Sequence, residues 1–196
     1  MRRSCRVFGV AVGLTLIAAA LSPIAPVEAA CLGAVKKCGR DALIAIDVRA
    51  KGTPRAHPGG QVTYVLDYSM TRTPSFAPYW GSYWVGGRFP RGARGPARAV
   101  LFDETGRRLA AFPCRGHSDG VWCDTGGRIP DRGRIVLTAR LARGATAAAV
   151  AVARVGFDSF DGLTEQEFAR HLNRQKSREK FCNYRFTRTV TTAVDS

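Results

Sequence analysis

Residues 42–49, ALIAIDVR, alternate apolar Ile44, Ile46 and Val48 with Ala45, Asp47 and Arg49. A period of two places one set of side chains on each face of an extended chain, so this segment predicts a half-buried strand. The turn His57-Pro58-Gly59-Gly60 follows, and QVTYVLDYSM (61–70) alternates again. Here Val62, Tyr64, Leu66 and Tyr68 share one face, and Thr63, Val65, Asp67 and Ser69 the other. Shorter runs predict strands at 84–89, 98–102, 108–112, 120–123, 134–141 and 148–157, with Asp103-Glu104-Thr105-Gly106 turning between two of them. Short strands separated by regularly spaced turn signals predict an all-β fold, an antiparallel β-sandwich.

One segment departs from the period of two. Thr164-Glu165-Gln166-Glu167 forms a capping box, Leu163 and Phe168 are placed as a hydrophobic staple, and Arg174, Lys176, Arg178 and Lys180 collect at the far end. These signals predict a surface helix over about 165–178, whose apolar stripe is only Phe168 and Leu172. The run YRFTRTVTTAV (184–194) then predicts a closing strand, with Tyr184, Phe186, Val190 and Val194 in one parity and mostly Thr and Arg in the other. Asp158 to Gly162, DSFDG, reads as a polar turn whose carboxylates favour the helix N-terminus; its spacing is one residue out of register for a calcium loop.

The succession PGGQVTYVLDYS, RFPRG (88–92), Cys114 to Cys123 and GGRIPDRGRIVLTARL (126–141) resembles the bacterial immunoglobulin-like repeat called domain of unknown function eleven, over roughly residues 42–157. The resemblance implies an exported structural or adhesive sandwich and brings no catalytic residues. The sequence departs from that pattern at Thr71 to Gly81 and in the helical segment.

The first thirty residues have a secretory layout: Arg2, Arg3 and Arg6, an apolar stretch from Val7 to about Leu21, then small residues at Ala29 and Ala30. Residues 1–30 are expected to be a leader cleaved near Ala29 to Cys31, and 31–196 a single domain; Glu28 argues against lipidation at Cys31. No later segment approaches the roughly 20 apolar residues that cross a bilayer. The expected location is therefore outside a bacterial cell, secreted or associated with the cell wall.

Export makes disulfides the expected state of the cysteines. Cys114 and Cys123 flank a Gly-rich turn and are expected to bond; Cys38 with Cys182 would tie the ends of the domain. Cys31 is then free, lost in processing, or a competitor for Cys182, and connectivity does not follow from sequence.

FPCRGHSDGVWCDTGG (112–127) also holds metal-ligand residue types, but zinc sites draw on two ligand pairs and a second pair is missing. His117-Ser118-Asp119 has the composition of a hydrolase triad, yet neighbours in an extended chain point to opposite sides and cannot converge. No catalytic residue, metal or cofactor is expected.

Recognition is the better reading. FAPYWGSYW (76–84) concentrates five aromatics; if 81–89 is extended, Tyr83, Val85 and Phe89 share one face, with Trp84 and Trp80 opposite. These rings either complete the core or, through Tyr79, Trp80 and Trp84, form an exposed platform for a glycan or protein.

The net charge is +15, two units lower without Arg2, Arg3, Arg6 and Glu28, and it favours an anionic envelope polymer or partner. Arg88, Arg91, Arg94, Arg98, Arg107 and Arg108 concentrate mid-chain, without a motif for specific nucleic-acid recognition. The expected function is a non-enzymatic structural or adhesive module binding an envelope polymer, a glycan or another exported protein. Alternatives are a general polyanion-binding protein, or a protease inhibitor presenting the disulfide-held loop with Arg115 and His117.

Overall fold

The computed structural model describes residues 28–30, 44–72, 80–126, 129–146, 149–163, 178 and 183–195. Eleven strands run through them: β1 (Glu28–Ala30), β2 (Ile44–Gly52), β3 (Arg55–Ala56), β4 (Gln61–Arg72), β5 (Trp80–Arg88) and β6 (Arg98–Phe102). The remaining strands are β7 (Arg108–His117), β8 (Gly120–Gly126), β9 (Arg132–Arg140), β10 (Val150–Leu163) and β11 (Asn183–Val194). They form one curled sheet in the order β1-β11-β10-β5-β8-β7-β6-β9-β4-β2. β7 makes the fold a sandwich: its first half pairs with β6 in one layer, and its second half, from Cys114, pairs with β8 in the other.

The two layers meet through the residues that the period of two selects. Ile44, Ile46, Val48, Val62, Tyr64, Leu66, Ile135 and Leu137 from the β2-β4-β9 layer are buried against Tyr83, Val85, Val155, Phe157 and Phe186 of the other. Tyr68 and Phe157 bring their ring centroids to 5.0 Å across the gap, and Phe89 meets Tyr64 edge-on at 5.5 Å. The Tyr68 hydroxyl donates to the Pro130 carbonyl at 3.1 Å, so the ring is buried with its polar tip satisfied.

The sheet also closes on itself. β3 pairs in parallel with the end of β11, Arg55 opposite Ala193 and Ala56 opposite Val194, while Arg188 reaches Asp47 of β2 at 3.5 Å. The turn at Asp103 forms as expected: its carboxylate accepts from the Thr105 amide at 3.0 Å and the Arg107 amide at 2.9 Å, and Gly106 takes φ 84°.

Several boundaries differ from expectation. β7, β8 and β10 run on past the expected ends, and the DSFDG segment is not a turn: Asp158 and Ser159 are fully buried strand residues inside β10. The carboxylate of Asp158 is buried because Arg178 covers the outer face there. The helix expected over 165–178 lies outside the described residues except for its last residue, Arg178, which is helical. β1 coincides with the last residues of the expected leader and pairs with β11, Ala29 opposite Tyr184. Cys31, Cys38 and Cys182 also lie outside the described residues.

Candidate functional site

In β5, β8, β10 and β11 the residues that alternate with the core set project from the outer face of the sheet. On β10 these are Arg154, Gly156 and Asp158, between core residues Val155 and Phe157; on β11 they are Arg185 and Thr187. Trp84 stands opposite Asp158 in register, and Trp122 opposite Gly86.

This face is partly roofed. Arg178, only 1% exposed, hydrogen-bonds Asp119 through both terminal nitrogens, at 3.0 and 2.8 Å, and reaches Asp158 at 2.6 Å. Its guanidinium lies 4.4 Å from the centre of the Trp122 ring, a cation–π contact. Arg185 adds a second ion pair to Asp119 and lies 3.6 Å from Asp158. Two carboxylates thus face two guanidiniums, Asp158 and Arg178 fully buried and Asp119 and Arg185 partly so. Burial alone would raise Asp119, but the hydrogen bond from Arg178 and the charges of Arg178 and Arg185 hold its carboxyl down at about 2. At Asp158 burial wins over the same arginines, and the carboxyl is pushed up to about 6.

Beyond this roof the face opens into a cavity of about 180 Å³ lined by Arg88, Arg154, Arg185, Thr187, Trp122 and Asp119, with Gly87 in its wall. Gly87 has φ 144°, and a Cβ there would lie 2.0 Å from the Arg154 carbonyl oxygen. Glycine is therefore required for β5 to approach β10 this closely. Arg88 and Arg154 are directly opposed across the two strands. Like charges in that position repel. Arg154 anchors its Nε on the Thr187 hydroxyl at 2.9 Å, and Arg185 is held by Asp119, so two of the three arginines lining the cavity are fixed in place. With one carboxylate against three guanidiniums, the lining carries a net positive charge suited to an anion.

The residues singled out by sequence are placed as follows. Cys114 and Cys123 are disulfide-bonded, as expected, and sit directly opposite each other in the β7–β8 ladder. Arg115 pairs in register with Trp122, and His117 with Gly120, so the segment is a hydrogen-bonded hairpin turning at Ser118-Asp119. Its tip is tied inward, because Asp119 is engaged by Arg178 and Arg185. Trp84 falls on the face opposite Tyr83 and Val85, as its parity requires, but is 2% exposed and so cannot belong to an open platform. Trp80 opens β5 opposite Leu163, and Tyr79 lies outside the described residues. Arg88 lines the cavity; Arg91 lies in the exposed turn that follows β5. His57 belongs to the turn before β4, on a different part of the chain from His117. Among the described residues no group of three or more His, Cys, Asp or Glu is arranged to hold a metal ion, and no helix is long and apolar enough to cross a membrane.

Sequence reasoning missed Asp119, Asp158 and Arg178 as partners, and Arg154, Arg185 and Thr187 as lining. The available signal was the phase of alternation: Arg154, Asp158, Arg185 and Thr187 all fall in the outward parity of strands whose inward parity is apolar.

No protein-family model matches the chain, and no curated protein does, so the resemblance to domain of unknown function eleven has no support at the level of family. Among solved structures, the chain is similar to the collagen-binding subdomain of the Enterococcus faecalis surface protein ACE, with 9% identity and a TM-score of 0.40, covering 74% of this chain and 95% of that one. It is similar to the T6 backbone pilin of Streptococcus pyogenes, with 10% identity and a TM-score of 0.42, covering 79% of this chain and 36% of the pilin. It is also similar to AvmM, which catalyses macrocyclisation in alchivemycin A biosynthesis, with 8% identity and a TM-score of 0.32, covering 76% of this chain and 89% of that one. Likenesses this remote, to proteins of such different kinds, carry no function to the present chain.

Proposed function

We propose that the protein is an exported, non-enzymatic adhesive or structural module of a bacterial surface, which engages an anionic partner through the outer face of β5, β10 and β11. The observation that carries this reading is the directly opposed Arg88–Arg154 pair beside Arg185. Like charges directly opposed across a strand pair repel each other in the free sheet. An anionic group between the two guanidiniums relieves that repulsion and gains charge-assisted hydrogen bonds. The secretory layout of residues 1–30 and the overall charge of +15 favour the same reading.

The test is retention on a heparin column. R88A/R154A should elute at clearly lower salt than the parent protein, whereas R49A/K51A, an equal charge loss on exposed positions of β2, should elute close to it. Equal shifts for both double variants would reduce the interaction to general charge and remove the site.

A further inference from the structure

β10 is longer than the strand beside it. Its pairing with β5 stops at Arg154 opposite Arg88, while its pairing with β11 continues to Val150 opposite Ala193. Val150 to Ala153 therefore have a strand on one side, and among the described residues none on the other. The cause lies in the path of the chain: after Arg88 it turns, with the Ala93 amide donating to the Pro90 carbonyl at 2.9 Å, and Arg94 then bridges to Arg140 of β9 in the opposite layer. The chain that would have continued β5 leaves the sheet and opens a wedge.

That wedge is a groove of about 740 Å³ whose lining includes Phe89, Pro90, Leu141, Val150 and Val152 together with Arg88, Arg91 and Arg154. Val150 is 62% and Val152 51% exposed, and they are two of the three large hydrophobic side chains so exposed among the described residues. A bare strand edge flanked by exposed valines is a template for pairing with another chain, which proteins ordinarily block with charge, proline or a cover. Here the outward positions along the open edge are valines, and the charges stand only where it ends, at Arg154 and Arg88.

We propose that the open edge of β10 at Val150 to Ala153 is a docking slot for an extended, acidic segment of a partner protein, added as a further strand. The proposal rests on the anionic partner inferred above and narrows it to a peptide. Backbone hydrogen bonds to the edge provide affinity. Alternate aliphatic side chains pack along Val150 and Val152, and a carboxylate reaches the Arg88–Arg154 pair. Four residues of edge span about 13 Å at ~3.3 Å per residue, the length of a short strand. The net charge of +15 favours an acidic occupant and disfavours a second copy of this chain.

The test is fluorescence anisotropy with the oxidised protein and a labelled hexapeptide of two aspartates followed by alternating valine and threonine. Two derivatives carry N-methyl groups on alternate amides, one in each frame, and hexaglutamate is the charge control. The parent peptide should bind at least tenfold more tightly than hexaglutamate at equal salt, and one N-methyl frame should weaken it at least tenfold. V150T/V152T should weaken the peptide about tenfold yet leave heparin retention unchanged, while R88A/R154A should weaken both. Parent-like affinity of both N-methyl frames, or of hexaglutamate, would overturn the slot. Failure of the parent protein to bind the peptide while it is still retained on heparin would remove the slot and leave the anion-binding face; failure of the parent protein to bind either would remove both.

Discussion

The guanidinium of Arg178 lies 2.6 Å from the carboxylate of Asp158, with side chains 1% and 0% exposed. The pair joins the segment after β10 to the middle of β10 itself, and through Asp119 it also holds the tip of the β7–β8 hairpin. Removing one member of a buried pair strands the other. R178A should therefore destabilise the protein by about 3–5 kcal/mol in urea denaturation. Pairing R178M with D158N, which removes both charges, should recover a large part of that loss. An R178A cost below about 1 kcal/mol, the range of exposed ion pairs, would show that Arg178 is not docked in solution.

The two carboxylates of this cluster respond to pH in opposite senses. In the unfolded chain an aspartate titrates near pH ~3.9. Asp119, held at about 2, contributes stability that is present above the unfolded value and lost as pH falls toward 2. Asp158, raised to about 6, contributes stability that is present below the unfolded value and lost as pH rises through 6. The joint contribution is therefore greatest near pH ~4, between the two. Urea midpoints measured across this range should show D119N removing the acid limb and D158N flattening the decline toward neutral pH. A D158N profile parallel to the parent between pH ~4 and ~6 would assign that decline to other groups.

Gly87 and Gly116 should respond oppositely to alanine. A Cβ on Gly87 would meet the Arg154 carbonyl oxygen at 2.0 Å, and its φ of 144° disfavours any L side chain, whereas Gly116 has nothing within 4 Å. G87A should cost about 3 kcal/mol or more and weaken heparin retention, because Arg88 and Arg154 flank the displaced backbone. G116A should stay within about 0.5 kcal/mol of the parent.

Reducing the Cys114–Cys123 disulfide should lower stability by about 2–3 kcal/mol, the loop-closure term for a separation of nine residues. The hairpin should survive, because Arg115 with Trp122 and Gly116 with Val121 remain paired beyond the bridge and Asp119 remains fixed by its arginines. Amide hydrogen exchange in the β7–β8 ladder, with and without reductant, measures this; complete loss of protection there would contradict it.

The strands were legible wherever one face is apolar and the other meets water. β4 and β6 begin where the alternation in Gln61 to Met70 and Arg98 to Phe102 predicts, and β6 also ends there. The reading failed where the second face is covered as well. Asp158 and Ser159 have the composition of a turn, yet they lie within a strand: Asp158 takes the outward parity and pairs there with Arg178, 20 residues further along the chain. Trp84 was an ambiguous ring for the same reason: its parity fixed the face, and only a tertiary cover decides whether that face is wet. The arginine cavity was illegible because it depends on register. Nothing in the local sequence around Arg88 or Arg154 specifies that they stand opposite each other.

The closing seam between β3 and β11 bears on how the chain matures. The Thr192 hydroxyl donates to the Thr53 carbonyl at 2.8 Å across 139 residues, and Ala193 pairs with Arg55. A polypeptide that emerges amino-terminus first presents β2 and β3 long before β11 exists to receive them. Contacts of such high sequence separation form slowly. The layer opposite β4 and β9 is already supplied by β5, β8 and β10, so what waits for the last strand is the seam itself: until β11 is released, β3 and the side of β2 that meets it stay open.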